Sequence, residues 1–212
     1  MTAQKWAVYD YYSSRYLRGY RAHDSHELSS FSKLLVFCAV NTIIEKYHLD
    51  IARFETIVTE GVLKLHKHRC MLAADDILSL EDLMHLMIMQ ESEAYETVLA
   101  VNVGAYLEKK RQNQYYSVFD NKDKHMRTHL REFYGLVNSY CKLLKLENIR
   151  YVESDPVLKR EKNKGSAADV AVLSVECLKI PFFMSILNKL SHQVSIKFIN
   201  GEGNLSERAV RI

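Results

Sequence analysis

Proline is nearly absent from this chain, at 2 of 212 residues, and glycine is scarce at 7. Both punctuate the backbone, so their scarcity excludes a collagen-like or Pro/Gly-rich disordered chain and favours long uninterrupted elements. The 4 cysteines form no Cys-x-x-Cys pair, which argues against a disulfide framework and for buried free thiols in a reducing compartment. The first ten residues lack the apolar core of a signal peptide. The most apolar stretch, 31–44, is too short to span a bilayer and contains Lys33, Asn41 and Thr42. Also missing are a P-loop, G-x-G-x-x-G, G-x-S-x-G and H-E-x-x-H. These absences point to an intracellular protein, cytoplasmic or nuclear, with no membrane partner and no cofactor, acting by binding rather than catalysis.

Cations are missing from one whole segment. Between Met71 and Leu107 there is no Lys or Arg, while Asp75, Asp76, Glu81, Asp82, Glu91, Glu93 and Glu96 are all acidic. From Ala105 to Arg131 the balance reverses: Lys109, Lys110, Arg111, Lys122, Lys124, Arg127 and Arg131 face only Glu108, Asp120 and Asp123. Such a basic stretch can neutralise phosphates, and Tyr115, Tyr116 and Phe119 can stack on bases. These seven basic residues are therefore the candidate nucleic-acid-binding site, with RNA the expected ligand. The acidic segment suits a protein partner, or self-association against the basic segment of a second copy.

Apolar spacing supplies most of the expected fold. Asp50 can cap a helix whose face is Ile51, Phe54, Val58, Val62 and Leu65. Ser29 or Ser30 caps an apolar helix from Phe31 to about Tyr47. Ser79 opens the longest element, 79–110, with a break expected near Ser92. Met126, Leu130, Phe133, Val137, Cys141 and Leu144 mark another helix across 123–146. Trp6, Tyr9, Ser13, Tyr16 and Tyr20 keep helical spacing, although Trp6 to Tyr12 is also rich in strand formers. After Leu146 the texture changes. Asn148 to Glu153 reads as a strand, 155–166 as a loop, and Val170 to Val175 as a strand or a helix capped by Ser166. Pro181 opens a short helix, and Val194 to Ile199 alternates like a strand. The expected fold is mainly α: a multi-helix bundle over 1–147 with a small C-terminal α+β extension over 148–212. This describes a non-enzymatic interaction protein, of the kind found among viral or accessory proteins.

Two short patterns give an alternative. Arg18 with His23, and Arg21 with His26, each form Arg-x4-His, which resembles the motif of the HEPN family. That resemblance implies an all-helical, metal-independent ribonuclease. Lys164-Gly-Ser-Ala-Ala-Asp169-Val-Ala resembles a segment of NYN/PIN-type nucleases. It implies that Asp10, Asp169 and Glu176 hold Mg²⁺. His125 and His129, and His66 and Cys70, are spaced one helical turn apart, but two ligands on a turn do not make a zinc site.

Overall fold

The computed structural model describes residues 4–67, 70–121, 123–149, 151 and 163–212. The chain divides into two compact units, residues 1–41 with 135–188 and residues 42–134 with 189–212. Among the described residues the helices are joined by eight strands in three sheets. The expected mainly-α bundle is therefore corrected to a mixed α and β architecture. No single helix among the described residues is long and apolar enough to cross a membrane.

The first unit begins with an antiparallel hairpin, β1 (Trp6–Asp10) and β2 (Arg15–Tyr20). The helix expected here yields to the β-branched and aromatic side chains of Trp-Ala-Val-Tyr-Asp. Asp10 then closes the turn, accepting from the Tyr12 N–H at 2.9 Å and the Ser13 hydroxyl at 2.8 Å. Gly19 has no alternative at its position, because a Cβ there would stand 2.6 Å from the Trp6 carbonyl across the hairpin. A short β3 (His26–Glu27) precedes α1 (Ser32–Tyr47), which runs on into the second unit. Phe37 of α1 packs on Phe182 and Phe183 of α7 (Pro181–Leu187), at centroid distances of 5.8 and 5.0 Å. The segment Val170 to Val175 is helical, within α6 (Ala167–Leu178). A full capping box decides it. Ser166 accepts from the Asp169 N–H, and Asp169 accepts in turn from the Ser166 N–H, both at 3.2 Å. The strand expected over Asn148 to Glu153 and the loop over 155–166 lie largely outside the described residues.

The second unit holds a four-stranded antiparallel sheet. It is ordered β4 (Glu55–Ile57), β5 (Ile77–Ser79), β7 (Gln193–Ile199) and β8 (Leu205–Arg211). The helix expected over 50–69 is cut short by Thr56-Ile57-Val58-Thr59, four β-branched residues in a row. What forms instead is a turn at Asp50, then β4, then α2 (Glu60–Leu65). Asn102 explains how so short a strand holds. Its side-chain oxygen accepts from the Ile57 N–H and its amide donates to the Ile57 carbonyl, both at 2.9 Å. The break near Ser92 is present, separating α3 (Leu80–Met89) from α4 (Glu93–Arg111). Ser79 and Ser92 accept from the N–H of Asp82 and Ala94 respectively. α5 (Met126–Leu143) completes the helices, passing from this unit into the first.

Candidate functional site

In the first unit, the residues best arranged for chemistry stand at the head of α1. Ser29–Phe31 form one 3-10 turn that feeds into the helix at Ser32. Ser29 adopts a φ of 46°, uncommon for a residue with a Cβ, so the chain turns sharply just before Ser30. The Phe31 N–H donates to the Leu28 carbonyl at 2.9 Å, and the Ser32 hydroxyl donates to the Ser29 carbonyl at 3.0 Å. Leu28 is itself fixed, because it is buried and its N–H donates to the Asn163 carbonyl at 2.8 Å. Beside it, β3 pairs with β6 (Lys164–Gly165). The crossing is close at Gly165, where a Cβ would lie 2.7 Å from Leu28 Cδ2 and 2.9 Å from Ile149 Cγ1, so those two side chains would have to shift.

This bracing presents an exposed Ser30, with Lys33, three residues on, half-buried in the first turn of α1. The first turn of α1 carries no acidic residue. A helix N-terminus with a neighbouring lysine favours an anion such as a serine alkoxide. The chain has a second Ser-x-x-Lys, Ser139 to Lys142, inside α5. There the Ser139 hydroxyl donates to the Gly135 carbonyl at 2.8 Å, so it is engaged with its own helix.

The second unit has a cleft of about 500 Å³, whose lining includes Arg53, Glu55, Asp82, His192, Ser195 and Lys197. Part of its wall is a bolt of polar groups. His192 Nε2–H donates to Asp82 Oδ1 at 2.7 Å, and the Ser195 N–H donates to Asp82 Oδ2 at 3.2 Å. The imidazoles of His85 and His192 stack with centroids 3.6 Å apart, and the Lys189 ammonium bridges them, donating to His85 Nε2 at 2.9 Å and to His192 Nδ1 at 3.4 Å. His85 completes its set by donating from Nδ1 to the Glu81 carbonyl at 2.9 Å.

Burial pushes the His85 pKa below its ordinary value; the Glu81 carbonyl opposes the shift and the neighbouring His192 and Lys189 add to it. A histidine with a depressed folded pKa stabilises fully above its unfolded value near 6.5, and that stability is lost as pH falls through the folded value. The melting temperature is therefore expected to fall from pH 7 toward pH 5.5. His85→Gln, which cannot titrate, should flatten that slope. Parallel melting profiles for wild type and variant would remove His85 as the cause.

The basic residues named from sequence all belong to this second unit, apart from Lys122, which lies outside the described residues. Lys109, Lys110 and Arg111 end α4; Lys124 precedes α5, and Arg127 and Arg131 are exposed on it. Several are engaged locally. Arg111 pairs with Glu132 at 2.6 Å, Lys109 reaches Gln114 at 3.4 Å, and Lys110 lies over the rings of Tyr47 and Tyr106.

The HEPN expectation fails on backbone. Arg18 lies in a strand, Arg21 pairs with Asp24 at 2.6 Å, His23 packs beside Tyr16, and His26 belongs to β3. The NYN/PIN expectation fails on roles. Asp10 closes a turn, Asp169 caps α6, and Glu176 pairs with Lys179 at 2.7 Å. No group of three or more metal-ligating side chains occurs among the described residues.

No protein-family model matches the sequence, and no curated protein is similar to it. Solved structures do match. The Streptomyces K15 DD-transpeptidase superposes with a TM-score of 0.70 at 12% identity, over 96% of this chain and 70% of that one. The D-alanyl-D-alanine carboxypeptidase DacD from Francisella tularensis gives 0.68 at 14% identity, over 91% of this chain and 41% of that one. The fold is thus the penicillin-binding-protein-like α/β fold of the DD-peptidases. An enzyme fold replaces the expected helical interaction protein, and nothing in it supports RNA binding or a viral or accessory role.

Ser-x-x-Lys is the nucleophile motif of penicillin-binding proteins and class A β-lactamases, accompanied there by Ser-Asp-Asn and Lys-Thr-Gly. This chain has Ser30-Phe31-Ser32-Lys33 and, within its 212 residues, neither companion. Charge and periodicity do not single out Ser30. The four-residue spacing was the one signal in the sequence, and it occurs twice.

Proposed function

We propose that this chain is a serine acyl-transfer protein of the DD-peptidase kind, with Ser30 as nucleophile and Lys33 as its proton acceptor. The observation that carries this reading is the place of Ser30-x-x-Lys33 at the braced, exposed head of α1 in a DD-peptidase fold. In the reaction, the Ser30 hydroxyl passes its proton toward the Lys33 amine as Oγ bonds to the acyl carbon of the substrate. The C–N bond of the terminal amide breaks, and the amine leaves carrying a proton. An ester on Ser30 remains, to be taken by water or a second amine.

The solved neighbours' names give the substrate class: peptides ending in D-alanyl-D-alanine. Such peptides belong to the bacterial cell wall, so this reading moves the chain from the expected cytoplasmic location to one outside the membrane.

A fluorescent penicillin tests this directly, because ring opening keeps the leaving group attached and the ester persists. Wild-type protein should gain one penicillin by intact mass and fluoresce in a denaturing gel. Ser30→Ala should lose the label completely, and Ser139→Ala should keep it. A folded wild-type chain that stays unlabelled at millimolar penicillin would overturn the reading.

A further inference from the structure

In the first unit, Cys38 of α1 and Cys177 of α6 bring their sulfurs to 3.0 Å, although 139 residues separate them in sequence. Both are buried, at 1% and 0% exposure. Cys177 Sγ also lies 3.4 Å from the Leu34 carbonyl, one turn back on α1. A bonded pair of sulfurs stands about 2.05 Å apart, so closure needs a shift of roughly 1 Å between two helices already in contact. The other two cysteines are placed differently: Cys70 is half-buried beside the Leu72 carbonyl, and Cys141 is buried in α5.

We propose that Cys38 and Cys177 are a disulfide site, cross-linking α1 to α6 whenever the chain folds in the presence of a thiol–disulfide oxidant. The chemistry is exchange. One cysteine thiolate attacks a small-molecule disulfide such as oxidised glutathione, releasing one reduced glutathione and forming a mixed disulfide. The second cysteine then displaces the other glutathione, so two thiols are oxidised as one glutathione disulfide is reduced. Burial in the finished fold keeps both sulfurs from that oxidant. Exchange therefore belongs to folding, before α6 closes over α1, and the finished bond is sheltered from reductant. This inference goes beyond the acyl-transfer reading and does not depend on it.

The test refolds the full chain from denaturant in a glutathione redox buffer, and in parallel under dithiothreitol. Both samples are then alkylated in denaturant and digested. The oxidised sample should alkylate at Cys70 and Cys141 only and yield one linked peptide pair containing Cys38 and Cys177. Because the closed loop is long, it should also melt about 10 °C higher than the reduced sample. Cys38→Ser should return Cys177 to the alkylated set, which separates pairing from misfolding. Four alkylated cysteines after oxidative refolding, or a pair involving Cys70 or Cys141, would overturn the proposal.

Discussion

Lys33→Met is expected to slow acylation of Ser30 by a fluorescent penicillin by about 10²- to 10⁴-fold, the usual contribution of a positioned proton acceptor. Lys33 follows Ser30 by three residues, one helical turn, across the junction of the 3-10 turn with α1, a spacing that puts the two side chains on the same side of the chain. Methionine keeps the length and apolar bulk of that stem and removes the amine. Stability should then be nearly unchanged while the rate collapses. Lys33→Arg should be almost as slow, because a guanidinium keeps the positive charge but does not take a proton at working pH. That pairing separates two roles: an electrostatic lysine would survive replacement by arginine, and a proton-accepting one would not. Stopped-flow or time-resolved gel labelling gives the rates, and a melting curve on each variant gives the control. A Lys33→Met rate within threefold of wild type would remove Lys33 from the chemistry and leave Ser30 activated by the helix terminus alone.

The sequence was informative wherever one local rule decided the outcome. Ser79 and Ser92 read as caps and act as caps, and the stripe from Met126 to Leu144, read as a helix over 123–146, is one over Met126–Leu143. It misled wherever distant residues decided. Ile51 to Leu65 keeps helical spacing, yet Ile57 gives its backbone to Asn102, 45 residues away, and becomes a strand. Trp6 to Asp10 satisfies two patterns at once, and pairing with Arg15–Tyr20 settles the choice. The seven clustered cations stand out because charge is visible in a string of letters, whereas the pairing of Arg111 with Glu132 is visible only in space. The candidate nucleophile was hidden for the opposite reason. Ser30 is one serine among many, and its distinction lies in a 3-10 turn, a left-handed Ser29 and a Leu28 pinned by residues 163–165. None of these can be read from a four-residue motif that also fits Ser139.

Gly104→Ala should have the largest effect on stability, lowering it by about 3 kcal/mol and the melting temperature by about 6–12 °C. Alanine normally strengthens a helix relative to glycine by up to about 1 kcal/mol, so the sign must come from what surrounds it. A Cβ on Gly104 would stand 1.9 Å from the His129 carbonyl oxygen and 2.6 Å from its carbon. Those atoms are backbone, so relief requires moving α5 away from α4 rather than turning a side chain. The contact is shared by a buried polar chain. His129 Nδ1 meets Asn121 Oδ1 at 3.0 Å, and the Asn121 amide donates to Asn102 Oδ1 at 3.0 Å. Asn102 in turn holds both backbone groups of Ile57. Separating the helices would stretch each link, and a buried polar group that loses its partner costs about 1–3 kcal/mol. Gly135 supplies the internal control: it is exposed on α5, with nothing within 4 Å of a built Cβ. Gly135→Ala should therefore raise the melting temperature while Gly104→Ala lowers it, from the same substitution in two neighbouring helices. Circular-dichroism melts of the two variants decide the matter, and a Gly104→Ala protein as stable as wild type would mean the helices do not approach this closely.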